Sequence, residues 1–448
     1  MPTLLTISPT ERFPKNGVAN RVASEDRVAH DWYRFVLSFP PHLVRKYVDR
    51  FGLSEKSTVL DPFCGTGTTL VECKRVGVPS VGVEAHPMSH FATATKVCWN
   101  ANSDSLLLIA GEIQDRALNL LRKEGLPDEP TGKNEVTSCK LRTLSPESLK
   151  LLLTNSISPL PLHKTLVLLD CIEAHATPAH SGFLRLALAK ALVSTISNLH
   201  FGPEVGVSKP KADSAVILPW LSQVAAMAKD LRQLRPLAEV PAVAFLGDSR
   251  RVLSTQLGPE SIDAVITSPP YPNEKDYTRT TRLESVLLGF VNNKQELRRI
   301  KSGLVRSNTR SVYKFDDDHQ WVEHHPEIQR IAAAIESRRI ELGKTSGFER
   351  MYARLTKLYF GGMARHFAEL RKVLKPGARL AYVVGDQASY LRVMIRTGQL
   401  IAEIAESLGY EVEEIDLFRT RLSTVTREQL REEVVVLKWP GKNSLVQA

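Results

Sequence analysis

The chain has 448 residues, 43% hydrophobic and 24% charged, which suits one large α/β core with insertions or two to three modest domains and excludes a disorder-dominated chain. Lys plus Arg exceed Asp plus Glu by 59 to 49 and the pI is near 9.3, favouring a polyanionic partner, although many basic proteins bind nothing anionic. Five cysteines, Cys64, Cys73, Cys98, Cys139 and Cys171, contain no C-x-x-C pair, which argues against a secreted disulfide framework and makes a reducing cytoplasm the expected setting.

In chain order, the first 20 residues lack a basic segment leading into a long apolar run, so no signal peptide is expected. A helical pattern at 41–51 precedes a strand at 58–61, and another helix at 69–76 separates it from a second strand at 80–84. Residues 101–239 are mostly helical in pattern and rich in Leu and Ala; the apolar stretch 183–196 is broken by Arg185 and Lys190, so no membrane span is expected. Strands at 242–246 and 262–267 follow, then a charged segment at 291–347 without strand signals. A helix at 352–374 and the turn Lys375-Pro376-Gly377 lead to a fifth strand at 379–384. A helix at 400–408 and closing strands at 411–417 and 433–439 complete the chain. Five of these seven strands alternate with helices as parallel βαβ units do. The organisation is therefore a split catalytic unit (1–100, 240–290 and 348–448) interrupted by a helical insertion (101–239) and a basic segment (291–347).

Three motifs sit where strands end. Asp61-Pro62-Phe63-Cys64-Gly65-Thr66-Gly67-Thr68-Thr69 has glycines where the backbone must turn sharply, but neither the Gly-Lys-Ser/Thr of a P-loop nor the third glycine of a dinucleotide fingerprint. Glu84 ends the second strand 19 residues after Gly65, close to the offset at which an acid binds ribose hydroxyls, and Asp248 with Ser249 ends the third. Taken singly, either acid reads equally as a helix cap or a solvated loop residue. Ser268-Pro269-Pro270-Tyr271 ends the fourth strand in a stiff corner that removes two backbone donors and leaves carbonyls beside a hydroxyl and a ring. Such a corner suits an exocyclic amino group, although Pro-Pro-aromatic turns also arise for structural reasons alone.

With these residues the sequence resembles the S-adenosylmethionine-dependent DNA amino-methyltransferases, which modify cytosine N4 or adenine N6, over residues 28–100, 240–290 and 350–440. The resemblance implies an α/β, Rossmann-like class I methyltransferase fold with a seven-stranded, mostly parallel sheet and a helical insertion. It implies S-adenosylmethionine as cofactor, held by Asp61, Phe63, Gly65, Thr66, Gly67 and Thr68 of the loop, by Glu84 at the ribose and by Asp248 with Ser249 at the adenine. Phe39 and Pro40, within Ser38-Phe39-Pro40-Pro41-His42, would cover the methionine end, although Phe39, following an apolar run, reads equally as a core residue. Ser268, Pro269, Pro270 and Tyr271 match the catalytic tetrapeptide. Ser at its first position is typical of cytosine N4 enzymes, whereas Asp or Asn is usual for adenine, so cytosine N4 is expected and adenine N6 is the alternative. C5-cytosine chemistry needs a cysteine after proline, and no Pro-Cys occurs.

The expected partner is DNA, as a duplex, with the target nucleotide turned out of the helix, and with a partner endonuclease as a further candidate. Only about 20 residues separate Asp248 from Ser268, so target recognition must lie elsewhere. One candidate is the run Arg298, Arg299, Lys301, Arg306, Arg310 and Lys314, which contains no acid and reads either as phosphate contacts or as a solvated face. The other is a loop at 198–203 with Lys209-Pro210-Lys211. Asp276-Tyr277 either lines the target pocket or begins a helix, and Asp386 is a rim residue or a cap. Cys171, His175 and His180 are loosely zinc-like in spacing but lack a fourth ligand, and no metal is expected. RNA base-amine methylation and a catalytically silent nucleic-acid-binding scaffold are the rival readings.

Overall fold

The computed structural model describes residues 24–34, 39–130, 140–202, 204–272, 275–422 and 429–441. Its strands are β1 (Val59–Asp61), β2 (Ser80–Glu84), β3 (Leu199–Phe201), β4 (Val205–Val207), β5 (Ala242–Leu246), β6 (Ile262–Thr267), β7 (Leu374–Gly385), β8 (Glu411–Leu422) and β9 (Gln429–Lys438). Seven of them form one sheet in the order β5-β2-β1-β6-β7-β9-β8. Every pairing from β5 to β7 is parallel, and β9 runs antiparallel between β7 and β8. This is the Rossmann-like class I methyltransferase arrangement.

Alternation along the central strands gives the sheet two apolar faces, as a doubly covered parallel sheet requires. Leu60, Val83, Val265, Leu380, Tyr382 and Val384 pack with residues of the helices Pro326–Glu341, Tyr352–Leu370 and Thr397–Ser407. On the other face Val59, Ile266, Ala381, Val383 and Val434 pack with Leu43, Val44, Tyr47 and Val48 of the helix Pro41–Arg50. Proline opens that helix at a position where a missing N–H leaves no bond unmade.

All seven predicted strands belong to the sheet, but the closing strands are longer than their alternation suggested. Lys375-Pro376-Gly377, expected as a turn, lies within β7 as an irregularity, where the register slips from Ile262↔Leu374 to Ala264↔Arg379. The insertion is built on the helices Ser103–Lys123, Pro159–His175, Pro178–Ala191 and Ile217–Leu234, which bury Ile113, Leu168, Phe183, Trp220 and Val224 in a shared core. It is not wholly helical. Within the segment expected as a loop at 198–203, Leu199–Phe201 pairs instead with Val205–Val207, outside the main sheet, while Pro203 lies outside the described residues. Among the described residues, no helix is long and apolar enough to cross a membrane.

Candidate active site

Strand order turns at β1 and β6: one crossover leads from β1 to β2, and the other leads from β6 to β7 on the opposite side. Ligands of open α/β sheets bind in the crevice such a reversal leaves at the carboxyl ends. Here that crevice begins between Asp61 and Thr267. Asp61 Oδ1 accepts from the Thr267 hydroxyl at 2.6 Å and from the Phe63 N–H at 3.1 Å, while the Thr69 hydroxyl donates to the Ile266 carbonyl at 3.1 Å. The glycine loop and the strand carrying Ser268 are thus fastened to each other.

Asp61 is buried, and the loss of water pushes its carboxyl up to about 6 despite these bonds. Its Oδ2 meets no donor among the described residues. Behind the loop, Gly67 has φ +86 and a Cβ there would lie 2.9 Å from Thr93 Cγ2, so the turn needs glycine on both counts. Thr93 Oγ1 donates to the Gly65 carbonyl at 2.8 Å. The buried Lys96 ammonium donates to the Thr66 carbonyl at 2.7 Å and the Tyr33 carbonyl at 3.3 Å, and burial pulls its pKa down to about 7. Sequence pattern gave no sign of this lysine, because nothing local marks a helix residue whose charge is folded under a loop.

Glu84 Oε2 accepts from the Gly65 N–H at 2.8 Å and Oε1 from the His86 N–H at 2.7 Å. Burial nevertheless pushes the carboxyl up to about 7, the backbone donors opposing. Asp248 is placed differently. Its oxygens accept from the Arg250 N–H, Nε and Nη2 at 2.9, 2.9 and 2.7 Å, and its neighbours Gly247 and Ser249, rather than Asp248 itself, line the cavity.

One cavity joins these elements. Phe39, Pro40, Phe63, Gly65, Thr66, Thr68, Glu84 and Ser249 line it, and so do Ser268, Pro269, Pro270 and Tyr271. Asp61, Gly67 and Asp248 stand behind its wall. The Ser268 hydroxyl donates its proton to the Val383 carbonyl at 3.2 Å, leaving its lone pairs to accept. The Tyr271 ring lies against the end of β7, where a Cβ on Gly385 would come within 3.0 Å of Tyr271 Cε2. Burial and the Glu432 charge raise the Tyr271 phenol.

Several lining residues escaped the sequence reading. Phe418, Arg419 and Glu432 come from the parts of β8 and β9 that lie beyond the predicted strands, and Arg419 grips Glu432 through two bonds at 2.6 and 2.8 Å. Ser307, Asn308 and Ser311 reach the same wall from the basic segment. Asn308 is buried, donates to the Lys275 carbonyl at 3.1 Å, and its Oδ1 has no partner among the described residues. Tyr277 both lines the cavity and begins a short helix.

The six candidate phosphate-binding cations separate. Arg298, Arg299, Arg310 and Lys314 are exposed. Lys301 and Arg306 are buried, the first paired with Asp276 at 2.8 Å and the second with Asp316 through two bonds at 2.7 and 2.9 Å. These two cations are structural, because a chain that buries a charge must also bury its counter-charge. Asp386 is likewise internal, accepting from Arg396 at 2.5 Å and Arg431 at 3.2 Å. His175 bonds to the Cys171 carbonyl and His180 to Thr177, and no group of three or more metal-ligating side chains occurs among the described residues.

Residues 12–93 match the profile of a family described as DNA methylase, of the N6/N4 type. Type II methyltransferase M.BsoBI of Geobacillus stearothermophilus is 26% identical over 465 residues, covering 96% of this chain and 88% of that protein. Type II methyltransferase M.AvaI of Nostoc sp. is 24% identical, covering 93% and 88%. Type II methyltransferase M.MjaII of Methanocaldococcus jannaschii is 32% identical over 69 residues, covering 15% and 13%. With a class I methyltransferase sheet and a glycine loop opening onto the same cavity as a Ser-Pro-Pro-Tyr corner, the chain is similar to the N6/N4 DNA methylases over residues 12–93 and to type II methyltransferases over nearly its whole length.

Proposed function

We propose that the protein transfers a methyl group from S-adenosylmethionine to the N4 amine of a cytosine turned out of duplex DNA. The observation that carries this reading is the shared cavity, with the glycine loop and Glu84 at one part of its wall and Ser268–Tyr271 at another. The residues present fit the cofactor: Asp61 Oδ2 is a buried acceptor in need of a donor, Glu84 offers a carboxylate to ribose hydroxyls, and Phe39, Pro40 and Phe63 give apolar cover. Asp248, held by Arg250, shapes the Gly247–Ser249 turn that borders the adenine end. When bound, S-adenosylmethionine supplies a methyl group made electrophilic by its sulfonium.

The protein's part is to hold the amine. A base amine is a poor nucleophile because its lone pair is delocalised into the ring. In this reading Ser268 Oγ, its own proton committed to Val383, and the Pro269 carbonyl accept the two amine hydrogens, which favours an sp³ nitrogen with its lone pair free. Tyr271 supplies a ring against the base. The serine at the first motif position favours cytosine over adenine. Exposed Arg298, Arg299, Arg310 and Lys314 supply the positive rim for a DNA backbone.

Incubation with methyl-labelled cofactor and either duplex DNA or tRNA, followed by digestion to nucleosides, tests both polymer and base. Labelled N4-methylcytosine from DNA is the expected product; label confined to N6-methyladenine or to RNA refutes the corresponding assignment. Ser268→Ala is expected to lower turnover at least about tenfold while leaving cofactor affinity within a factor of two, and equal losses in both would reject its role.

A further inference from the structure

Phe315 is 65% exposed, yet it sits on a turn that the fold holds firmly. The buried Arg306–Asp316 pair anchors that turn, and Asp316 Oδ2 also accepts from the Tyr313 N–H at 2.6 Å. Arg354 Nη2 grips the Tyr313 carbonyl at 3.0 Å. Tyr313 and Phe315 lie parallel, their centroids 5.3 Å apart and their planes within 6°, with the Arg298 guanidinium 5.2 Å from the Tyr313 ring centroid. Lys314 lies between the two rings in sequence and is exposed, and Arg310 stands 5.7 Å from the ring of Phe348, itself 52% exposed. The same stretch reaches the cavity wall at Ser311, two residues before Tyr313.

A phenyl ring left in water forfeits the stabilisation that burial gives, and here a buried ion pair fixes the backbone that keeps it there. The charge around it selects the occupant. Arg298, Arg310 and Lys314 are exposed cations, Asp316 is neutralised by Arg306, and Asp317 is the exposed acid of the turn, 3.8 Å from Arg365. Flat aromatic faces among cations fit a ligand that is itself flat and tethered to anions.

We propose that the Tyr313–Phe315 stack is a platform on which a base of the bound DNA strand stacks beside the catalytic cavity. The proposal rests on the DNA-methylating reading and adds to it the contact that compensates a strand for stacking lost when a nucleotide leaves the helix. Stacking on an aromatic side chain tolerates any sequence, because every base offers a π-face.

The test compares wild type with Phe315→Leu, which keeps apolar bulk but loses the flat face, and with Phe315→Trp, which keeps the face. Binding is measured to an oligodeoxynucleotide containing 2-aminopurine, whose fluorescence reports stacking, with S-adenosylmethionine binding as the control for folding. Phe315→Leu is expected to weaken oligonucleotide binding about 5- to 100-fold and to reduce the fluorescence change. Phe315→Trp is expected to stay within about threefold of wild type, on the same stacking argument. On a single-stranded oligonucleotide the salt slope of binding should be unchanged in Phe315→Leu but shallower by about 0.7 in Arg298→Ala, since only the arginine displaces a counterion. Equal binding by Phe315→Leu and wild type overturns the platform, even if wild type methylates DNA. Phe315-dependent binding by a wild-type protein that methylates no DNA would uphold the platform and strike the methyltransferase reading.

Discussion

Replacing Glu84 with glutamine should change how cofactor affinity depends on pH. Burial holds the Glu84 carboxyl near 7 although the Gly65 and His86 N–H groups both favour its ionised form. Ribose hydroxyls donating to the carboxylate favour the ionised form further, so binding lowers the pKa and releases a proton. Affinity should therefore rise with pH up to about 7 and then level off. If the bound group titrates below 5, affinity at pH 5 is about 100-fold below its plateau, one decade for each pKa unit. Loss of folding cannot mimic this trend. A carboxyl whose folded pKa is raised contributes stability that is full below about pH 4.5 and lost as pH climbs through 7, so this group makes the ligand-free protein more stable where binding is weaker. Calorimetry from pH 5 to 8.5 in buffers of differing ionisation enthalpy counts the protons released. Glu84→Gln should remove the step near 7 and the proton release that goes with it. Flat affinity in wild type between pH 5.5 and 8, with no proton release, would refute the reasoning.

The cations of the basic segment should divide by assay. Four phosphate contacts, from Arg298, Arg299, Arg310 and Lys314, give a duplex salt slope of about −3.6, or roughly 150-fold weaker binding at 200 mM than at 50 mM salt, and each alanine substitution should reduce the slope by about 0.9. Arg306→Met instead strands the buried Asp316 carboxylate and should destabilise the protein by about 3–5 kcal/mol in denaturant titration; a variant as stable as wild type would mean the pair is not structural. At the end of β7, Gly385→Ala places a Cβ 3.0 Å from Tyr271 Cε2. A ring displaced by a few tenths of an ångström should lower turnover roughly tenfold, given that about 1 Å costs about 100-fold, with cofactor affinity held; turnover within a factor of two would show the ring's position to be unimportant.

The strands and the strand-end motifs were legible because their causes are local: alternation in β2, β5 and β6, glycines in the loop, prolines in the corner. Their meeting in space then follows from sheet order, which sets β1 beside β6 and so Asp61 against Thr267. What stayed hidden depends on partners distant in sequence. Lys301 finds Asp276 25 positions away and Arg306 finds Asp316 10 away, so a run of positive charge could not be divided into internal and external members by composition. The same division explains how one segment contributes to three structural features. Its buried cations brace the turn, its small polar residues Ser307, Asn308 and Ser311 line the cavity, and its remaining cations and Phe315 face outward. A charged stretch that was only a solvated face would have no need of buried ion pairs to hold its shape. Arg306 and Lys301, withdrawn from solvent and paired internally, therefore leave the phosphate-binding set, and Arg298, Arg299, Arg310 and Lys314 are its members that remain at the surface.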